Sequence, residues 1–385
     1  MRENDMNILE EIQNCPVEWK ELGKVALLKR GKTITSKTAI DGPYPVISGG
    51  QKPAYFHGEF NREGETITVA GSGAYAGFVM YWDEPIFVSD AFSIEPLEGA
   101  LIPKFLYHYL LEKQEILFSL KKGSGVPHVY PKDVSKILIP IPPIEIQEKI
   151  VQILDKFTDY VRELTSELTS RKKQYSYYRD NLLSFEDEVC QVEWKTIQDI
   201  SVKIVTGVTP KKSCEDYYLK GTIPWLRTNE VKFNTITTTE KYVTERAVEE
   251  TGLKWISPNS IIIAISGATA GRVAMNRIPL TTNQHCCSIS VDERIVNYKY
   301  LYYWLVNQNR QILSLKQGAR GDINMSMIKS LKLPVPSLEI QSRIIQVLDN
   351  FDTVCNDLNS GLPKEIELRQ KQYEYWRDRL LDFSK

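Results

Sequence analysis

Apolar residues recur in alternating steps of three and four through one long stretch, residues 144–185. The pattern runs from Ile150 through Leu154 and Phe157 to Leu182, with Arg171 as its one polar step. About five such heptads in succession are typical of a helix that packs lengthwise against another helix. At ~1.5 Å per residue, this helix would extend roughly 60 Å, too far for a single globular core. We therefore expect residues 144–186 to form a long helix with a partner helix beside it.

The same chain contains the expected partner, because residues 338–383 repeat this stretch closely. LEIQSRIIQVLDNF matches IEIQEKIVQILDKF, and RQKQYEYWRDRLLDF matches RKKQYSYYRDNLLSF. The numbering difference is 194 between Gln147 and Gln341 but 198 between Arg171 and Arg369, so the second copy carries four extra residues. They fall around Gly361 and Pro363, which favour a helix end and restart. We expect the helix at 338–385 to be broken near 361–363.

Each long helix follows a globular part, and the two globular parts share one plan. VEWK opens both, at Val17 and Val192, and short glycine-punctuated β-rich runs follow in the same order. Each part then has a tyrosine-rich helix (105–120 or 300–315), a glycine loop and a proline-containing strand. The prediction is an α+β fold: two globular α/β domains in tandem repeat, separated by two long helices packed as an antiparallel coiled coil. The expected segments are 1–16 (lead-in), 17–143, 144–186, 187–337 and 338–385.

Composition bounds the class of protein. The 385 residues are 42% hydrophobic and 25% charged, which is ordinary for a soluble globular chain. No apolar run approaches the ~18 residues of a membrane helix, and the six cysteines contain no CxxC pair, so we expect a reducing, cytoplasmic location. The formal net charge of -1 means that any DNA-binding face must be local.

Motifs for catalysis are missing from the sequence. There is no GxxxxGK[ST] loop, the glycines from Gly71 to Gly77 have the spacing GxGxxxG, and Pro142-Pro143 lacks the flanks of an amino-methyltransferase loop. His285-Cys286-Cys287 could suggest a metal site, but neighbouring strand residues point to opposite faces, so we favour core packing and expect no metal. We predict no catalytic residue on this chain.

Two sets of residues leave two interpretations open. Aromatic residues in the long helices fit a core between helices better than base stacking: Tyr175, Tyr178, Tyr373 and Trp376. The loops at 121–128 and 317–324 combine basic and polar residues with glycines, which suits either a DNA-contacting loop or a plain surface loop.

The repeated motifs resemble the specificity subunit of type I restriction-modification systems across almost the whole chain. The resemblance rests on the helix ends at 171–183 and 361–381 and on the PxPxxEIQxxI entries at Pro140 and Pro334. The segment 207–231 is similar to the start of that family's target recognition domain. The first globular part departs from this form, with RGKTITSK and a shortened YPVISGG.

The resemblance implies a non-catalytic, sequence-specific DNA-recognition subunit, with target recognition domains at 17–143 and 187–337. Each domain would read one half of a bipartite, asymmetric site in double-stranded DNA. The chain would position two methyltransferase subunits and possibly two motor or restriction subunits. S-adenosylmethionine, ATP and Mg²⁺ are then expected on those partners, and no cofactor on this chain. LTSELTSR, residues 164–171, resembles the repeated tetrapeptide with which the family adjusts spacer length. The alternative is a coiled-coil scaffold or adaptor that binds protein and has no DNA specificity.

Candidate DNA-contacting residues come from the basic clusters and glycine loops, with arginine expected to pair with guanine and asparagine with adenine. In the first domain they are Lys29, Arg30, Lys32, Gln51, Ser72, Tyr75, Lys121, Lys122, Ser124 and His128. In the second they are Thr209, Lys211, Arg227, Asn229, Thr269, Arg272, Asn283, Arg320 and Asn324.

Overall fold

The computed structural model describes residues 3–185, 192–316 and 322–383, and the chain divides into two compact units. Unit 1 contains residues 1–166 and 364–385, and unit 2 contains residues 167–363. Both divisions fall at or inside long helices. Each compact unit therefore contains a globular part together with ends of the long helices, because the buried faces of the helices join the globular cores. The expected segments 17–143 and 187–337 stay predictions.

Unit 1 alternates short strands with helices, and its last element continues into unit 2. In chain order the elements are α1 (Glu3–Asn14), β1 (Glu18–Glu21), α2 (Leu22–Val25), β2 (Ala26–Arg30), β3 (Tyr44–Ile47), β4 (Phe56–His57), β5 (Thr66–Ala70), β6 (Val79–Trp82), β7 (Phe87–Val88), β8 (Ala91–Pro96), α3 (Pro103–Glu112), α4 (Gln114–Ser119), α5 (Pro131–Val134), β9 (Leu138–Ile141) and α6 (Ile144–Leu183).

An antiparallel sheet of order β2-β8-β5-β6 forms the centre of unit 1. Alternate residues of β5 and β8, such as Ile67 and Phe92, are buried in one core with Phe105 of α3. The opposite face packs on a smaller sheet of order β4-β3-β7, where β3 and β7 run parallel. A separate ribbon pairs β1 with β9, next to the start of α6.

Unit 2 repeats the order of elements with an insertion. Its elements after α6 are β10 (Glu193–Thr196), β11 (Ser201–Thr206), β12 (Ile223–Leu226), β13 (Asn234–Ile236), β14 (Tyr242–Val243), α7 (Glu245–Thr251), β15 (Ile261–Ala264), β16 (Val273–Asn276), β17 (Thr281–Thr282), β18 (Cys286–Val291), α8 (Tyr298–Asn307), α9 (Asn309–Ser314), α10 (Met325–Ser330), β19 (Lys332–Val335) and α11 (Leu338–Asn356), and α12 (Leu362–Leu380) follows, mostly in unit 1.

The sheets of unit 2 follow the same plan as those of unit 1. A five-stranded sheet of order β11-β18-β15-β16-β13 packs its isoleucine-rich face against Tyr300 and Trp304 of α8. A three-stranded sheet, β14-β12-β17, covers the other face, and β10 pairs with β19 as a ribbon. The predicted tandem repeat of two mixed α/β parts is confirmed.

The tyrosine-rich helices are each broken, which the sequence did not predict. The expected helix 105–120 is α3 followed by α4, and the expected helix 300–315 is α8 followed by α9. The residue after each break has an amide side chain that binds a glycine loop. Gln114 Nε2 donates to the carbonyl oxygen of Gly77 at 2.7 Å, and Asn309 Nδ2 donates to that of Gly271 at 2.6 Å. The bend aims these amides at the loops.

The ends of the long helices complete both cores in an antiparallel arrangement. In unit 1 the end of α12, with Tyr373 and Leu380, is buried beside the start of α6 at Ile150. In unit 2 the end of α6 packs beside α11, where Tyr175 and Tyr178 lie 6.1 and 5.5 Å from the Phe351 ring. The predicted packing role of these helix aromatics is confirmed, although Tyr178 keeps 45% of its surface exposed.

The second helical region is two helices, α11 and α12, separated by residues 357–361. Gly361 lies close to the backbone at the end of α11. Its amide donates to the Asp357 carbonyl oxygen at 3.0 Å, and a β-carbon there would lie 2.4 Å from the Thr353 carbonyl oxygen. Only glycine fits this position without a shift of the backbone.

A fully buried glutamine joins α6 to the globular part of unit 1. Gln147 Oε1 accepts a hydrogen bond from the Ile102 amide at 2.9 Å. Its Nε2 donates to the carbonyl oxygens of Ala100 and Pro142 at 3.0 and 2.9 Å. One side chain therefore satisfies three buried backbone groups, before α3 and before α6.

Gln341 makes the same three bonds in unit 2. Its Oε1 accepts from the Asn297 amide at 2.8 Å, and its Nε2 donates to the carbonyl oxygens of Ile295 and Pro336 at 3.1 and 2.8 Å. The EIQ motif thus encodes one anchor twice.

A polar network around Asp155 also joins α6 to α3 and α12 in unit 1. Lys104 Nζ lies 2.6 Å from Asp155 Oδ2, and His108 Nε2 lies 3.2 Å from Asp155 Oδ1. The other ring nitrogen, His108 Nδ1, lies 2.9 Å from the Tyr373 hydroxyl of α12. Since the carboxylate only accepts, Nε2 carries the proton and Nδ1 accepts from tyrosine.

Unit 2 keeps the carboxylate and lysine of this network but replaces the histidine. Asp349 pairs with Lys299, and Tyr303 donates its hydroxyl proton to Asp349 Oδ1 at 2.7 Å. Only the network of unit 1 therefore contains an imidazole, the side chain whose ordinary pKa lies near neutral pH.

Replacing Gln147 with leucine tests the anchor. The change keeps the volume but leaves the Ile102 amide and two carbonyl oxygens buried without partners, each costing about 1–3 kcal/mol. We expect the free energy of unfolding of unit 1 to fall by roughly 3 kcal/mol or more, measured by urea titration with hydrogen exchange to separate the units. Gln152→Leu, at an exposed position of α6, is the matched control. Equal stability of the two variants would contradict the anchoring role.

The network also predicts a pH dependence of stability. Burial lowers the pKa of His108 below its ordinary 6.5, against the raising effect of Asp155. Below pH 6.5 the unfolded chain then gains a proton that the folded chain does not, so stability falls as pH drops below this value. Burial disfavours the Asp155 carboxylate, yet hydrogen bonds from His108 and Lys104 hold its pKa below 3.8, so its contribution is lost only at lower pH.

We expect His108→Gln to remove the loss of stability between about pH 7 and pH 5. The measurement is the free energy of unfolding of unit 1 across that range, with the exposed histidine variant His285→Gln as control. An unchanged pH slope in His108→Gln would rule out His108 as its source.

Candidate nucleic-acid interface

Two glycine loops of unit 1 are joined by backbone hydrogen bonds. The turn between β5 and β6, residues 71–77, lies against the loop 121–130. The Gly73 amide donates to the Pro127 carbonyl oxygen at 2.9 Å, and the Val129 amide donates to that of Gly71 at 3.0 Å. A β-bridge also pairs Ser72 with His128. The fold thus brings together loops that are about fifty residues apart in sequence.

Glycine is required where these loops approach other backbone. Gly77 has a φ of 89°, and a β-carbon there would lie 2.9 Å from the Leu117 carbonyl oxygen. Gly49 brings the turn after β3 onto the Ser72 carbonyl oxygen, where a β-carbon would lie only 2.4 Å away. Gln51, two residues on, is exposed beside this junction.

Arg30 and Lys32 flank Gly31 at the end of β2, but Lys29 faces the other side of the strand. Arg30 lines a cleft together with Asp90, His128 and Tyr130. Lys29 instead pairs with Glu95. Neighbouring strand residues point to opposite faces, so Lys29 is not brought to the cleft.

The lysines of the 121–128 loop are partly engaged within the protein. Lys121 Nζ donates to the Ala74 carbonyl oxygen at 2.9 Å, and Lys122 Nζ lies 2.7 Å from Asp133 Oδ2. The hydrogen bond from Lys122 lowers the pKa of Asp133. Tyr75 and Ser124 are exposed on the same surface.

Unit 2 joins its loops by equivalent bonds. The Ile265 amide donates to the His285 carbonyl oxygen at 2.9 Å, and the Ile323 amide donates to the Ile265 carbonyl oxygen at 2.8 Å. Ser266 Oγ lies 2.5 Å from Asp322 Oδ1. Thr269 and Arg272 follow on this loop and are half-buried.

The segment between β12 and β14 holds a second group of predicted residues. Arg227 Nη2 lies 2.5 Å from Glu240 Oε2, to which Asn229 Nδ2 also donates at 3.4 Å. Buried Glu230 accepts from the amides of Arg227 and Glu240 at 3.1 and 2.7 Å and so fixes this loop. Among the described residues, Arg227 Nε is one of four buried side-chain nitrogen and oxygen atoms without a hydrogen-bond partner, although it lies 3.6 Å from Glu230 Oε1.

The remaining predicted residues of unit 2 are distributed differently. Thr209 bonds to Gln284, and Lys211 is exposed nearby. Asn283 is only 8% exposed and its Oδ1 accepts from the His285 amide at 3.2 Å, so it shapes a turn and offers little surface to a ligand.

Asn324 is the last of the predicted residues that the structure describes. Asn324 caps α10 by accepting from the Ser326 amide at 3.0 Å. Arg320 lies outside the described residues.

Sequence inspection missed the residues of the turn that precedes the central strand in each unit. These are Asp90 in unit 1 and Gln284 with His285 in unit 2, all exposed on the joined loops. Tyr130, stacked 6.0 Å from His128, was also missed. Asp90, Gln284 and His285 share a signal of position, because each turn follows a strand that pairs in parallel with β3 or β12.

The described residues contain buried cysteines, but neither a cluster of metal ligands nor a helix that could span a membrane. Cys286 and Cys287 are buried in the cores of unit 2, and burial raises the pKa of Cys287 to about 12. No group of three histidine, cysteine or acidic side chains in the described ranges could hold a metal ion. Within those ranges no helix has the length and apolarity needed to cross a membrane.

Comparison with known families finds one model that matches both repeats. Residues 16–171 and 191–368 match the type I restriction modification DNA specificity domain. The two matched ranges cover most of the chain and follow the internal repeat.

Two similar proteins are specificity subunits of type I restriction enzymes. The type I restriction enzyme EcoR124I/EcoR124II specificity subunit of Escherichia coli is 41% identical over 261 residues, which is 65% of this chain and just under two thirds, 64%, of that protein. A putative type I restriction enzyme specificity subunit of Haemophilus influenzae is 30% identical over 99% of this chain and 100% of its own length.

A solved structure has the same fold. The S subunit of a type I restriction-modification system from M. genitalium superposes with a TM-score of 0.66 at 18% identity, covering 97% of this chain and 98% of that one. The repeated domain model and the full-length relative place the chain in the family of type I restriction-modification DNA specificity subunits.

Proposed function

We propose that this chain selects the DNA site at which a type I restriction-modification complex acts, and that each globular part reads one half of a split, asymmetric target. One observation carries the proposal. The two repeats keep the same buried anchors and loop junctions, whereas the residues exposed on those loops differ. A conserved scaffold with different exposed groups is what two readers of different sequences need.

The exposed groups on the two surfaces support different half-sites. Unit 1 offers Arg30, Asp90 and His128 around one cleft. Unit 2 offers Arg227 with Glu240, and separately Gln284 and His285. Because these groups have different donor and acceptor patterns, they select different bases.

The chemistry belongs to partner subunits in this proposal. Methylation of a base within a duplex requires the base to be flipped into a pocket on a methyltransferase subunit, which this chain positions. Two methyltransferase subunits, one for each repeat, and motor or restriction subunits complete the complex in the cytoplasm. They supply the sites for S-adenosylmethionine, ATP and Mg²⁺, and this chain is non-catalytic. The comparisons give no support to the protein-binding adaptor considered as the alternative.

The first test is a genome-wide map of methylated adenines in cells that contain this chain and its modification subunit. We expect a split, asymmetric motif that disappears when this chain alone is deleted. The purified complex should bind that motif with an affinity that falls steeply with salt, because phosphate contacts release counterions. Identical maps with and without the chain, together with no salt-sensitive DNA binding, would refute the proposal.

The middle of α6 tests the spacer role. Four helical residues correspond to ~6 Å, close to two base-pair steps of ~3.4 Å. Deleting residues 164–167, which are one LTSE unit, should change the number of unread base pairs and leave both half-sites intact. The same methylation map measures this, with Thr165→Ala/Ser166→Ala as a control of unchanged length. A change in half-site sequence instead of spacing would contradict the spacer role.

A further inference from the structure

The turn after β7 in unit 1 has the same backbone anchoring as the turn after β17 in unit 2. The Ser89 amide donates to the Ile47 carbonyl oxygen at 2.8 Å, and the Asn283 amide donates to that of Leu226 at 3.0 Å. Each turn also lies against a glycine: a β-carbon on Gly31 would lie 2.2 Å from the Ser89 carbonyl oxygen. The backbone of this turn is therefore fixed by the scaffold.

The residue that the turn presents differs between the repeats. After Ser89, unit 1 has the single exposed residue Asp90 before β8 begins. After Asn283, unit 2 has two exposed residues, Gln284 and His285, before β18 begins. A fixed turn with a variable side chain, on the loop surface of both repeats, is the arrangement expected of a specificity position.

Asp90 carries a negative charge among groups that suit a nucleic acid. It lines the cleft with Arg30, His128 and Tyr130, and its Oδ2 accepts a hydrogen bond from Ser72 Oγ. A carboxylate repels phosphate, so it does not serve a surface whose purpose is to hold the DNA backbone. It instead suits a hydrogen-bond donor on the ligand.

The donors on base edges in the major groove are the amino groups of cytosine and adenine. An ionised carboxylate only accepts hydrogen bonds, and Ser72 already occupies Oδ2. Adenine presents the acceptor N7 beside its amino group, which a carboxylate cannot satisfy, whereas cytosine presents its N4 donor without an adjacent acceptor. The geometry therefore favours cytosine.

We propose that Asp90 is a specificity-determining residue of the first half-site and accepts a hydrogen bond from the N4 amino group of one cytosine. Ser72 orients the carboxylate, and Arg30 offsets its charge. This inference rests on the proposed function, since it assigns one base to one of the two reading surfaces.

The test compares Asp90→Asn with the native chain, each in complex with the modification subunit. Binding and methylation are measured on duplexes in which every base pair of the first half-site is varied in turn. Asparagine replaces one acceptor with a donor pair, and adenine is its usual partner. We expect roughly tenfold loss of preference for cytosine at one position of the first half-site and an unchanged second half-site.

Two controls separate base reading from folding or charge. Asp83→Asn makes the same charge change in the exposed turn between β6 and β7. This turn precedes β7, whereas Asp90 follows β7, so the variant should leave the base preference at every position unchanged. Asp90→Glu retains the carboxylate and should keep the preference for cytosine, even if its complex methylates DNA more slowly than the native complex.

A base analogue gives the decisive measurement. Replacing the critical cytosine with 2-pyrimidinone, which lacks the N4 amino group, should weaken binding by the native complex roughly tenfold and binding by the Asp90→Asn complex little. Equal penalties in both complexes, or a first half-site without cytosine, would overturn the assignment of Asp90 and leave the proposed function standing. Absence of any motif for the native complex would refute the proposed function itself.

Discussion

The direction in which each long helix leaves its globular part depends on one buried amide, Gln147 in unit 1 and Gln341 in unit 2. Each amide bonds backbone on both sides of the junction, before the tyrosine-rich helix and before the long helix. Burial makes the arrangement strict, because a shifted helix would leave three polar groups without partners and without water. Two similar globular parts can therefore carry different loops and still start their long helices in the same way.

Much of the fold could be predicted because the chain contains two copies of the same pattern, which can be compared with each other. A pattern that occurs twice, such as VEWK or PxPxxEIQxxI, marks a structural need even in a single sequence. The breaks at Lys113 and Gln308 escaped prediction, since both lie in runs with good helical periodicity and depend on glycine loops distant in sequence. The division into compact units depends on which core buries each helix face, and a local sequence pattern does not record this.

The candidate surface was only partly predictable. Glycine spacing indicated two loops, which the structure joins through Ser72 and His128; their contact with DNA stays a prediction. Side-chain chemistry alone was a poor guide to exposure. Asn283 has the chemistry of a base reader but is buried in a turn, while Asp90, which no sequence motif marks, lines the cleft. Whether a polar group faces solvent depends on backbone pairing between strands far apart in sequence.

The packing of the last helix on unit 1 has a consequence for synthesis of the chain. Tyr373 bonds to His108, 265 residues earlier, and Leu380 and Phe383 lie in the same core as Phe105. As the ribosome extends the chain, residues 167–363 of unit 2 emerge in full before the core of unit 1 has its final members. The part that is made first is therefore completed last. A ribosome that stops short of the final helix would release a chain with an intact second reader and an open core in the first.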